Sequence, residues 1–191
     1  MENKFKIKPK KAFTFIELLI VVALIGIVSA MVLSSYRISR AQKEVEVAAR
    51  GLAAVIREAQ NSSLTGKRLT CAGSSVMPNS YKIRIYNETP MKISSFFASS
   101  DSACTNHDDN EYSVTKFKNV INNKDGLGCD VTTDCVVTFS VPFGNRGALG
   151  YTDANGNAKI LLQSTSYTSA YYTVCVYISG NVEEKLGNVA C

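Results

Sequence analysis

One carboxylate stands where chemistry makes it costly. From Phe13 to Tyr36 the chain runs 24 residues with a single charged side chain, Glu17. An ionisable group at membrane depth is unfavourable by about 2.5 kcal/mol or more at a helix centre, so it marks a function by default. Five lysines precede the run: Lys4, Lys6, Lys8, Lys10 and Lys11. A basic leader followed by about 20 apolar residues orients a membrane span, with the leader on the cytoplasmic side and the C-terminal part beyond the membrane.

Other candidates for chemistry are sparse. The chain contains no G-x-S-x-G, no Gly-rich phosphate loop and no H-E-x-x-H. The single histidine, His107, lies in Cys104-Thr105-Asn106-His107-Asp108-Asp109-Asn110-Glu111, which has the oxygen ligands calcium favours but reads as a solvated turn. Asp153-Ala154-Asn155-Gly156-Asn157 begins like a calcium loop, yet lacks the later Gly and Glu of an EF-hand. It reads as a tight hairpin turn at Asn155-Gly156. No catalytic residue, metal site or cofactor is expected, and without a nucleophile–base set the chain does not read as an enzyme.

Six cysteines follow the apolar run and none precedes it: Cys71, Cys104, Cys129, Cys135, Cys175 and Cys191. An even number beyond a membrane fits an oxidising compartment and disulfides. Sequence alone leaves open the fifteen pairings available to six cysteines. The favoured set is Cys129–Cys135 as a short clip across a polar turn, then Cys71–Cys104 and Cys175–Cys191. The last would pin a C-terminus that otherwise frays. Without a C-x-x-C pair, zinc is the lesser reading.

The elements that must position these residues follow from periodicity. Ile38, Ala41, Val45, Ala48, Leu52, Val55 and Ala59 recur at helical spacing, with Arg37, Arg40, Lys43, Glu44, Glu46, Arg50, Arg57 and Glu58 opposite. No proline interrupts Phe13 to Ser63, which predicts one helix of about 50 residues with soft points at Gly26 and Gly51. After Asn61-Ser62-Ser63 the period changes to two. Runs at Tyr81–Tyr86, Met91–Phe97, Glu111–Phe117, Cys135–Val141, Ala158–Gln163 and Tyr171–Ile178 read as strands. The expectation is an α+β fold: a long N-terminal helix whose apolar stripe packs on a C-terminal antiparallel sheet.

The net charge of +5 is mostly a leader effect, because residues 1–12 hold five lysines and one glutamate. From Asn61 onward, acidic and basic side chains are equal in number. That balance argues against a nucleic-acid-binding head.

The stretch Lys10-Lys11-Ala12-Phe13-Thr14-Phe15-Ile16-Glu17-Leu18-Leu19-Ile20-Val21-Val22 resembles the class III signal of type IV pilins and type II secretion pseudopilins. In that family a prepilin peptidase cuts before the phenylalanine and methylates the new amine. The resemblance places the cut between Ala12 and Phe13, where the family usually carries Gly before the cut. It implies that Glu17 meets the Phe13 amine of a neighbouring subunit, which relieves the penalty on a carboxylate in hydrocarbon. It further implies the type IV pilin fold, with residues 1–12 as a removed leader, 13–36 as the membrane-spanning and filament-core helix, 37–62 as its amphipathic continuation and 63–191 as the head.

Within the family, Val137-Thr138-Phe139-Ser140-Val141-Pro142-Phe143-Gly144 and Tyr172–Val182 resemble GspH/FimT-type minor pilins. The implied partners are the prepilin peptidase, other pilin or pseudopilin subunits, an inner-membrane assembly platform and membrane lipid. The implied location is the inner membrane, with the head on its far side, and then a pilus or pseudopilus.

Two alternatives set the contrast. An ordinary signal peptide would use Leu18–Val28 as its h-region and end at Val28-Ser29-Ala30, but Glu17 sits badly there. A DNA-binding or adhesive minor pilin at a filament tip would need a basic region. The C-terminal run Asn181–Cys191 is net negative.

Overall fold

The structure, a computed structural model, describes residues 13–86, 88–101, 104, 110–122, 135–141 and 157–191. Helix α1 spans Phe15–Thr65. Its start and stop are both written locally. Thr14 caps the N-terminus, its hydroxyl accepting the Glu17 N–H at 3.3 Å and its carbonyl the Leu18 N–H at 3.2 Å. At the other end Gly66 adopts φ +62°, and the Lys67 N–H returns to the Ser62 carbonyl at 3.1 Å. That pairing is the Schellman ending, which glycine permits at no steric cost.

The chain divides into two compact units, Met1–Ser39 and Arg40–Cys191, and α1 contributes to both. In the first unit residues 13–33 and 35–39 are exposed. Among the described residues, α1 is the one helix long and apolar enough to cross a membrane by length and composition.

The second unit is an α+β head. After α1 come β1 (Leu69–Cys71), β2 (Ser74–Val76), β3 (Ser80–Tyr86), β4 (Met91–Ala98), β5 (Asn110–Phe117) and β6 (Val120–Asn122). Then follow β7 (Cys135–Ser140), β8 (Ala158–Ser164), β9 (Tyr171–Val176) and β10 (Val182–Leu186). Two four-stranded antiparallel sheets result, ordered β5-β4-β3-β7 and β10-β9-β8-β6, with β1-β2 as a small hairpin.

The first sheet shows why its strands were readable. Tyr81, Ile83 and Ile85 of β3 point inward beside Cys135, Val137 and Phe139 of β7, while the intervening residues are half-buried or exposed. Strand β8 differs, being buried along its whole length, which means both faces are covered.

The core forms where the sheets meet α1. Ala41, Val45, Ala48, Leu52 and Ala59 of the expected stripe are buried there. The buried face is wider than that stripe, however, because Ala49, Ala53 and Ile56 join it, while Val55 is only half-buried and Ile38 is exposed and lies in the first unit.

Gly51, expected as a soft point, is instead a seat. The Phe117 ring at the end of β5 occupies the space where a β-carbon would stand. Strands β1, β2, β6 and β10 are additions to the expected set. Three of them have only three residues, and β10 is a charged edge strand, Val182-Glu183-Glu184-Lys185-Leu186.

Two described disulfides lie in the head. Cys71 is joined to Cys104, and Cys175 to Cys191. Cys135 is also disulfide-bonded, and Cys129, its expected partner, lies outside the described residues. The hairpin expected at Asn155-Gly156, His107 and Pro142–Gly144 lie outside them too.

Candidate assembly site

The site begins with a capped helix end. Thr14 is the last non-helical residue, and Glu17 is the third residue of α1. The threonine oxygen takes an orphan N–H of the first turn, that of Glu17, as a helix N-cap does. The carboxylate also faces the positive end of the helix dipole, a favourable position for an anion. Glu17 thus has a local reason to sit in the first turn, the dipole of the helix it begins. That local role leaves its charge uncompensated: no ion pair to Glu17 forms among the described residues.

Everything around it is apolar and bare. Phe13 is 80 % exposed, and Phe15, Ile16, Leu18, Leu19 and Ile20 are all exposed large hydrophobics. A surface of that kind is not stable in water; it is covered by lipid or by other protein. Phe13 precedes the helix and Ala12 lies outside the described residues.

The other expected residues separate into the head. Asn157, at the end of the calcium-like run, is buried and accepts the Ile178 N–H at 3.4 Å. Among the described residues no group of three or more His, Cys, Asp or Glu gathers as a metal set. The acidic C-terminal run is engaged structurally. Arg57 of α1 meets Glu184 at 2.9 Å and donates to the Val182 carbonyl at 2.8 Å. Tyr177 donates to Glu183 at 2.8 Å, and Lys185 donates to Tyr177 at 3.1 Å. That tyrosine hydroxyl and Lys185 lower the Glu183 pKa.

Residues 7–33 match the prokaryotic N-terminal methylation motif, a span that holds Ala12, Phe13, Thr14 and Glu17. The match supports a type IV pilin-like precursor whose N-terminus is methylated after processing. No curated protein and no solved structure matches the chain.

Proposed function

We propose that this chain is a structural subunit of a type IV pilus or type II secretion pseudopilus, made as a prepilin. It is held in the inner membrane by residues 13–36, cut between Ala12 and Phe13 by prepilin peptidase, N-methylated on Phe13 and assembled. Glu17 pairs with the Phe13 amine of a neighbouring subunit, and the GspH/FimT-like segments of the head favour a minor subunit. The observation that carries this reading is the methylation motif falling on a bare apolar helix whose one carboxylate makes no ion pair among the described residues. Burial of such a helix among like helices supplies the drive, and a cation brought to Glu17 removes its penalty.

The mass of the mature N-terminus tests the reading. A chain beginning with methylated Phe13 is expected; a chain beginning at Met31 would instead mark a cleaved signal peptide. Glu17→Ala should still insert and be processed but assemble poorly. Its normal incorporation into filaments would remove the role given to Glu17.

A further inference from the structure

The turn between β5 and β6 lies against the head's part of α1 and forms with it an open groove of about 350 Å³. Four cations line it: Arg40 and Lys43 from the helix, Lys116 from β5 and Lys118 from the turn. Glu44 is the one carboxylate among the lining residues, and both of its oxygens are engaged. One accepts from Arg40 Nε at 3.1 Å and the other from Asn119 Nδ2 at 3.3 Å. Asn119 has φ +63°, a left-handed conformation that asparagine tolerates, and its bond to Glu44 ties the turn to the helix. Lys43 reaches Glu46 at 2.9 Å, outside the groove's lining.

Lys116 and Lys118 remain. Both are exposed, and neither makes an ion pair among the described residues. Lys116 stands directly opposite Lys92 in the β4–β5 register, and like charges so placed destabilise a sheet. Between the cations the wall is apolar: Val47 is exposed and Phe117 half-buried. Cations bordering an apolar wall suit an amphiphile whose anionic group adjoins a hydrocarbon part. Arg40 comes four residues after Tyr36, where the apolar run ends on the same helix. For a chain spanning a bilayer with residues 13–36, the phospholipid headgroups of the far leaflet come next along this stretch of α1.

We propose that the groove binds the headgroup phosphate of an anionic phospholipid, holding the head to the membrane before assembly. This rests on the membrane-spanning reading of residues 13–36. The test uses the full chain in detergent, offered equal amounts of phosphatidylglycerol and phosphatidylcholine, with retained lipid read by native mass spectrometry. The native chain is expected to prefer phosphatidylglycerol. Lys116→Gln with Lys118→Gln should lower that preference roughly thirtyfold, with a melting temperature no lower than the native chain's, since the Lys92–Lys116 repulsion is removed. Lys67→Gln with Arg68→Gln, cations outside the groove, should keep it.

Equal retention of the two lipids by the native chain overturns the proposal. So does a preference that survives Lys116→Gln and Lys118→Gln. Glycerol phosphate competing as well as the lipid would make the occupant a free phosphate ester, and duplex DNA displacing the lipid would make it nucleic acid; either result also overturns it. Resistance to carbonate extraction from membranes is scored separately. A chain that is extracted refutes the membrane-spanning reading, whereas an inserted chain without lipid preference refutes only the groove.

Discussion

The ring of Phe117 rests against the backbone of Gly51, so closely that a β-carbon on Gly51 would stand 2.8 Å from two ring atoms. Two effects therefore oppose each other at this position. Ala in place of Gly favours a helix by about 1 kcal/mol. Here it also pushes a half-buried ring off its seat. Gly51→Ala is expected to lack the usual helix gain, and Gly51→Ala with Phe117→Ala to recover it. Thermal melting of the four chains of this cycle measures the coupling. Simple additivity of the two changes would show that the ring and the glycine do not interact.

Tyr81 is fully buried in the head, and its hydroxyl donates to the Lys67 carbonyl. Burial, followed by the nearby Tyr112, pushes its pKa up to about 12. The unfolded chain ionises this hydroxyl near pH 10 while the folded head keeps it neutral. The stability contributed is complete below pH 10 and falls as pH rises from 10 towards 12. Tyr81→Phe should flatten this alkaline limb in denaturant titrations and lower stability at neutral pH by about 1 kcal/mol.

The C-terminal residues are fixed by more than their disulfide. Thr173 donates to the Gly187 carbonyl at 2.6 Å and accepts the Val189 N–H at 3.3 Å, and Lys159 donates to Asn188 at 2.5 Å. Cys175→Ser with Cys191→Ser should cost about 2–4 kcal/mol, given the 16-residue separation. Thr173→Val in the oxidised chain should cost less, about 1 kcal/mol. Hydrogen exchange at Val189 should rise in both variants.

Thr14→Ala removes the oxygen that caps α1 and should weaken its first turn by about 1 kcal/mol. The Glu17 amide, which Thr14 accepts, should then exchange roughly five times faster in detergent, since about 1 kcal/mol corresponds to that ratio. Thr14→Ser should exchange at the native rate.

Much of the architecture was legible because it rests on period. The long proline-free helix and the alternating strands β3 and β7 declare themselves through side chains that must face one way. Strands β1, β2 and β6 are too short to show alternation, and β10 presents charges on a sheet edge, where apolar period is absent. The wider buried face of α1 was hidden for another reason. Ala49 and Ala53 carry so little apolar surface that only the approach of a sheet reveals their side.

The capping pair Thr14–Glu17 was open to reading from its spacing alone. The cationic groove was not. Arg40 and Lys116 are 76 positions apart, and the balanced charge of the head concealed that the β5–β6 turn gathers basic groups on one side.

The described crosslinks all begin at Cys71 or later, so none ties α1 to a sheet. A pull entering through the N-terminal half of α1 would thus reach the sheets by shear along the packed face from Ala41 to Ser63. The load is shared there by many small contacts at once rather than taken by one bond after another. Extraction of the helix would be a single abrupt event, and its force would be indifferent to reductant, because the disulfides lie off the load path.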